Sequence, residues 1–576
     1  MNQNHTDNQD RRGDREEMDL MPPTGKPIGR RTLIKGAGIA AGVAAASISA
    51  GPRIVFAQEA SPETSSAASP AGDETVVPSG IEGVPDVYLK TPEPTKTYDG
   101  VPGNGGTVRA FTISYSPPPP PRDQNQYWQE LEKRLGVKWE IDMTPQPNYG
   151  EKSAAYLAGG DLPDLFYINP GQNASQQYQA MAQGAFLDLT PFVTGDAISE
   201  YKNLATFPDY MWNNLKFQGK IFGVPTPSLR AGNLPYYRSD WSKTLGLEPT
   251  TPESIAQMLV GFSKSDPDGD GSANTWGMGR FNSGWLVFDN LIATYGFKLP
   301  KNWQQNDDGT LTHMIETDGF RQLVDYLTKL FADGGYHPDA ASMTFSDAQN
   351  AFIAAQTGLH YEGLTSFYGV GNVGYRLQQT DPKATLAPIV PVTPDGAPGV
   401  THNNTGFFGF VGIPTSVGKD EDRVRELLRI LDYLASPFGS EEQVFLANGI
   451  EGVHWEYNDQ GARIVNDKGR SERSDLVYFM GSLPVLYYPE DPQVGLQVQK
   501  DLKSAIELGI DDPTQVLFSQ TNVDNGPQLN QLGTDSISAI VTGRAGVDTL
   551  DDVINQWKSQ GGDQIRNEFQ EALQQQ

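Results

Sequence analysis

The stretch Asp266-Pro267-Asp268-Gly269-Asp270-Gly271-Ser272-Ala273-Asn274 sets three carboxylates at alternate positions, 266, 268 and 270. A glycine follows at 271, where the backbone must turn sharply. Asn274 offers a fourth side-chain oxygen, and the Ser272 carbonyl offers a fifth ligand. Loops of this kind bind hard cations that take six to eight oxygens, and this one is the front half of an EF-hand-like loop. The distal bidentate Glu is missing, because the twelfth position counted from Asp266 is Gly277. The spacing therefore predicts a structural Ca2+ loop inside a larger protein and not a calcium sensor. The competing reading is a solvated Asp/Gly turn without metal.

A second set of residues could hold an organic ligand. Aromatic residues make up 10% of the chain, and several stand beside Gly, Asn or Pro in loops. Tyr115 follows a predicted strand, Tyr236 and Tyr237 lie near a predicted crossover, and Trp285 follows a Gly/Asn/Ser loop. The pair Tyr361-Glu362 closes an apolar stretch, and Trp455 closes Gly452-Val453-His454-Trp455. Loops at the carboxyl edge of a sheet are the favoured ligand positions in α/β proteins. Trp285 and Trp455 are the leading candidates; for the others core packing is the stronger competitor. Covalent chemistry is poorly represented. There is no G-x-S-x-G elbow, no HExxH and no phosphate-cradling GxxxxGK[ST], and the six histidines do not cluster. His360 and His454 read as structural groups. Glu362 and Glu451 could form the acid and base of a glycosidase, but two suggestive carboxylates carry little weight in a chain with 71 acidic residues.

These residues need a scaffold. Thr107 to Tyr115 reads as a strand, the proline run 117–121 as an extended loop, and Tyr127, Trp128, Leu131 and Leu135 as one helical face ended by Gly136. Val137, Trp139 and Ile141 alternate as a strand, Tyr149 to Ala158 is helical, and Leu165 to Ile168 is a strand. This order predicts a parallel sheet covered by helices. Further along, Thr251 is an N-cap with Pro252 at the first helical position, and the acidic loop falls at the far end of that helix. Amphipathic helices follow at Phe320 to Phe331 and at Val424 to Leu434.

The first residues form an address. A polar leader precedes Arg30-Arg31-Thr32-Leu33-Ile34-Lys35, an uncharged run extends from Gly36 to Gly51, and Val55-Phe56-Ala57 suits a cleavage site. The pattern predicts a twin-arginine export signal over 1–57, with an uncleaved anchor as the alternative. Residues 58–105, rich in Ser, Pro and Ala, predict a flexible linker. The chain has no cysteine, which excludes disulfides, thiolate metal sites and a lipid-bearing cysteine. A formal net charge of −28 argues against nucleic-acid partners. It also argues weakly against anionic sugars, unless a local arginine pocket overrides it.

Several segments in fixed order carry a family resemblance. They are Gly219-Lys220-Ile221-Phe222-Gly223-Val224-Pro225, Tyr236-Tyr237-Arg238-Ser239-Asp240-Trp241, the acidic loop followed by Thr275-Trp276-Gly277, and Asn448-Gly449-Ile450-Glu451-Gly452-Val453-His454-Trp455. Together they resemble the family 1 extracellular solute-binding proteins of ABC sugar importers, in the LplA-like and alginate-binding-like subset. The resemblance implies an α/β, two-lobed periplasmic-binding-protein fold of class II type, with a hinge and a ligand cleft between the lobes. The expected division is lobe 1 over 106–235, lobe 2 over 236–405, a return to lobe 1 over 406–455, and mainly lobe 2 helices over 456–576. It implies a non-enzymatic, extracytoplasmic monomer that closes on a carbohydrate, an oligosaccharide, and delivers it to the transmembrane subunits of an ABC permease. It also implies Ca2+ held by Asp266, Asp268, Asp270, the Ser272 carbonyl and Asn274. The chain departs from the alginate-binding relatives at Thr275, where they carry a Glu, and in lacking a lipid-anchor cysteine. The alternatives are a secreted carbohydrate-active enzyme and a calcium-stabilised surface adhesin.

Overall fold

The computed structural model describes residues 75–170, 174–280, 284–289, 291–369, 372–459 and 461–574. The chain divides into Met1–Gly51 and Pro52–Gln576, and every described residue lies in the second unit. The expected export signal over 1–57 therefore lies outside the described residues.

Nine strands build two sheets. In chain order they are β1 (Thr107–Ser114), β2 (Lys138–Pro145), β3 (Leu165–Ile168), β4 (Val224–Pro227), β5 (Pro235–Arg238), β6 (Trp276–Met278), β7 (Thr357–Tyr361), β8 (Leu386–Pro388) and β9 (Phe407–Gly412). The first sheet has the order β2-β1-β3-β9-β4. β1 runs parallel to β2 and β3, as the alternation of strands and helices predicts, while β9 returns antiparallel between β3 and β4. The first crossover helix, Gln126–Leu135, buries Tyr127, Leu131 and Leu135. It ends at Gly136 with φ 70°, where a Cβ would stand 2.3 Å from Val101 Cγ1. Only glycine suits both the left-handed backbone and that approach.

The second sheet has the order β6-β7-β5-β8. β6 and β7 are parallel, and β5 runs antiparallel to both β7 and β8. Each sheet has its own apolar core. The first gathers Phe111, Ile113, Phe166 and Val411 with Leu427, Leu428 and Leu431 of the helix Glu421–Leu434. A second packs Leu259 and Phe262 of the helix Pro252–Lys264 against the helices Asp318–Ala332 and Gln520–Val541. A third joins Tyr236, Phe352 and Phe367 to the helix Pro492–Glu507. The chain crosses between the sheets from β4 to β5 and from β8 to β9. A third crossing runs from Met480, in the first core, to Leu486, in the third, and another, earlier in the chain, runs from Val87, in the third core, to β1, in the first. Two lobes follow, because neither sheet shares its core with the other. Within the stretch 456–576, expected mainly in lobe 2, Leu476, Phe479 and Met480 belong to the first core.

The expected flexible linker over 58–105 is corrected from residue 75 onward. Val76–Val77 pairs with Val87–Tyr88, which pairs in turn with Leu486–Tyr487, and Val84 and Val87 enter the third core. Glu442 accepts the N–H groups of Thr97 and Tyr98, and Glu426 accepts that of Asn104. Composition misses this order because the anchoring acceptors stand more than 300 residues away in sequence.

Candidate ligand-binding site

β1 ends at Ser114, and the proline run that begins at 117 can supply no N–H groups. The turn between them is held from across the chain. Asp475 Oδ2 accepts from Ser114 Oγ at 2.7 Å and from the N–H groups of Tyr115 and Ser116, each at 2.9 Å. With its backbone fixed, Tyr115 stands at the carboxyl edge of the first sheet with 51% of its surface exposed. Asn169, buried one residue past β3, hydrogen-bonds its side chain.

Two further rings join it. In β9 the register shifts between Phe407 and Gly409, so Phe408 is the extra residue of a bulge and turns outward, 45% exposed. Bulges re-aim a side chain in this way. The neighbouring Gly409 is required by close approach, since a Cβ there would lie 2.4 Å from the Tyr167 hydroxyl. Tyr478, on the segment before the third crossing, completes the group. Ring centroids are 6.1 Å apart for Tyr115–Phe408, 5.5 Å for Tyr115–Tyr478 and 6.3 Å for Phe408–Tyr478. Three touching rings, two of them exposed, form an apolar platform edged by hydrogen-bonding groups. Such a surface suits a ligand with C–H faces and hydroxyls.

The second sheet presents polar groups at its matching edge. Tyr361 ends β7, and its hydroxyl accepts from Asn233 Nδ2 at 3.0 Å. Glu362 follows; its Oε2 accepts from Gln349 Nε2 at 2.7 Å and lies 3.2 Å from His360 Nε2. Arg280, two residues past β6, donates to the Ala341 carbonyl at 2.6 Å, and burial lowers its pKa.

The other expected ligand residues pack inward. Tyr236 is fully buried, with its hydroxyl 2.8 Å from that of Tyr368 and 3.0 Å from Asp501 Oδ2. Tyr237 packs, half-buried, on the second core. Trp285, 4% exposed, lies against Phe320 and over Gly533, which has no Cβ to block it. Trp455, 3% exposed, donates its indole N–H to the Gly449 carbonyl at 3.0 Å and meets Tyr457 edge-on. Sequence reasoning thus reached Tyr115, Tyr361 and Glu362 at sheet edges but missed Phe408 and Tyr478. The Phe407-Phe408 pair before a glycine was the available signal for the first; Tyr478 has none of comparable strength.

The acidic loop joins the helix Pro252–Lys264 to β6. Thr251 starts that helix with a reciprocal capping box to Ser254. Carboxylate oxygens of Asp266, Asp268 and Asp270 lie within 4.8 Å of one another. Asp266 Oδ2 accepts from the Gly271 N–H at 3.0 Å, while its Oδ1 is buried with no hydrogen-bond partner. Burial, with help from the neighbouring carboxylates, raises the Asp268 pKa; the Ser272 N–H and the Asn274 amide lower that of Asp270. An orphaned carboxylate oxygen beside two more carboxylates fits a divalent cation. Asn274 turns its nitrogen toward Asp270, at 3.0 Å, so its oxygen would reach an ion only after the amide rotates. Ser272 sits exposed in the same turn. Thr275 points inward to the Phe262 carbonyl and offers no ligand.

Two α/β lobes with separate cores, joined by several crossings, give this chain the fold of solved solute-binding proteins of ABC transporters. In sequence the chain is similar to two curated bacterial proteins over most of its length. It is 23% identical over 492 residues to lipoprotein LipO of Bacillus subtilis, covering 83% of this chain and 95% of LipO. It is 24% identical over 471 residues to the polygalacturonan/rhamnogalacturonan-binding protein YtcQ of the same organism, covering 79% and 89% of the two chains. Among solved structures, an EF-hand mutant of the Streptococcus pneumoniae ABC-transporter substrate-binding protein FusA, in complex with fructo-nystose, superposes with a TM-score of 0.57 at 17% identity. The superposition covers 81% of this chain and 99% of that one. No protein-family model matches the chain. Among the described residues, no helix is long and apolar enough to cross a membrane.

Proposed function

We propose that the protein is the extracytoplasmic binding component of an ABC importer and that its ligand is an oligosaccharide. The observation that carries the reading is the platform of Tyr115, Phe408 and Tyr478 at the carboxyl edge of the first sheet. Sugar rings lay their C–H faces on such aromatics, and their hydroxyls take planar polar partners. Glu362, Tyr361 and Arg280 supply partners from the second lobe. A ligand that touches both lobes favours the closed state by its differential contacts; one that touched a single lobe equally in both states would shift nothing. The closed form then docks on the permease. The chain acts as a monomer and as a carrier without catalysis, exported through the twin-arginine route its leader spells.

Asp266, Asp268 and Asp270 hold a structural Ca2+ with the Ser272 carbonyl and the rotated Asn274. Bound there, the ion neutralises clustered carboxylates and ties the helix Pro252–Lys264 to β6. One solved structure of FusA is of an EF-hand mutant, so that relative carries an EF-hand, which supports this reading. The hinge is formed by the crossings at 228–234, 389–406 and 481–485.

The test is incubation with a panel of oligosaccharides, read by calorimetry, solution scattering and product analysis. Tight one-to-one binding with a smaller radius of gyration and intact sugar is expected. Cleaved sugar would replace the carrier with an enzyme, and binding without compaction would replace it with an adhesin.

A further inference from the structure

A pocket of about 550 Å³ opens beside the platform and shares Ser116, Asp475 and Tyr478 with it. Its remaining polar lining includes Gln443, Arg470 and Arg473. That volume lies within the range of small-molecule sites.

The charges around it are unequal in an informative way. Arg470 is engaged by the Val465 carbonyl and by Asp467. Arg473 has no salt bridge or hydrogen-bond acceptor among the described residues, and its Nε is buried without a partner. Acids flank it in sequence but are committed elsewhere. Glu472 takes Lys468, His454 and the N–H groups of Gln126 and Tyr127. Asp475 takes Ser114, Tyr115 and Ser116. In a chain with 71 acidic and 43 basic side chains, a guanidinium left without a carboxylate is a position kept open. Its planar fork matches a carboxylate in two parallel hydrogen bonds.

We propose that Arg473 reads a carboxylate on one residue of the bound glycan, so that the natural ligand is an acidic oligosaccharide seated with a neighbouring ring on the Tyr115–Phe408–Tyr478 platform. This rests on the oligosaccharide reading above. The local cations bear on the objection raised by the net charge: Arg470 and Arg473 line the pocket against one lining carboxylate, Asp475, whose Oδ2 is taken up by Ser114, Tyr115 and Ser116. The carboxylate can come from a uronic acid within a chain or from a terminal sialic acid, and the two sources call for separate probes.

The experiment is calorimetric titration of the full chain with two matched pairs: tetragalacturonate against its carboxyl-reduced counterpart, and 3′-sialyllactose against lactose. At least one acidic member is expected to bind about 10- to 100-fold more tightly than its neutral partner, the usual range for a hydrogen bond to a charged group. Arg473→Gln should collapse that ratio toward one. Arg473→Lys, which keeps the charge without the fork, should leave an intermediate ratio. An unchanged ratio in Arg473→Gln overturns the proposal, as does equal or tighter binding of both neutral partners, which leaves the oligosaccharide reading standing. Binding of none of the four overturns that reading as well. If Arg473→Gln does not fold, as judged by its melting temperature, the wild-type ratio and Arg473→Lys still decide.

Discussion

Tyr115 and Phe408 are large aromatic side chains roughly half in solvent, and an exposed ring costs little to remove. Tyr115→Ala and Phe408→Ala should each weaken oligosaccharide binding by about tenfold, as loss of one aromatic contact implies. Their melting temperatures should stay close to that of the parent; calorimetry and thermal melts check the two halves separately. Trp285 and Trp455 behave oppositely. They are buried, so Trp285→Ala and Trp455→Ala should each cost about 3–5 kcal/mol of stability in urea titrations. Any loss of binding in those variants would then follow from unfolding. From sequence Tyr115, Trp285 and Trp455 look alike, each an aromatic beside a predicted loop or strand end, and Phe408 carries no stronger mark. Their fates part because a bulge turns Phe408 outward while the absence of a Cβ at Gly533 lets Trp285 sink.

At the scale of elements, local rules served well where partners were close in sequence. Thr251, Pro252 and Ser254 fix a helix start within four residues, and the structure has the cap where the residues place it. Thr251→Ala should cost about 1 kcal/mol by chemical denaturation. The acidic loop at the other end of that helix is equally local. Removing Ca2+ with a chelator should lower the melting temperature, and Asp268→Asn with Asp270→Asn should abolish the difference between chelated and calcium-loaded protein. The linker was misread for the converse reason. Its order from residue 75 comes from Glu426, Glu442 and Leu486, which no local window contains.

At the scale of the whole molecule, burial sets the response to acid. His313, wedged between Trp303 and Trp557, has its pKa pushed down to about 3, and burial pushes that of His402 down to about 4. Below an unfolded-state value of about 6.5 the unfolded chain binds these protons and the folded chain does not, so stability falls as pH drops through that window. Burial raises Asp289 and Asp432 to about 6, which works the other way: below pH 6 the folded protein takes up protons before the unfolded chain does. The two effects oppose each other between about pH 6 and 4. His313→Gln should therefore stabilise the protein against acid relative to the parent, with a slope difference of up to about 1.4 kcal/mol per pH unit in denaturation series from pH 6.5 to 4. Closure belongs to this scale too. Ligand-induced compaction should be lost when Tyr115→Ala and Phe408→Ala are combined, because the two lobes then lack a ligand to share.

The amino-acid sequence determined the lobe-building units by itself: parallel strands with their crossover helices, the capped helix and the acidic loop. Each is set by residues within a turn or a strand of one another. Only the tertiary structure decided which aromatics form a surface and which form a core. That choice depends on a one-residue register shift in β9, on the carboxylate of Asp475 meeting a turn 359–361 residues away, and on a third crossing that sets Tyr478 beside Tyr115. Long-range contacts of this kind leave no local periodicity to read.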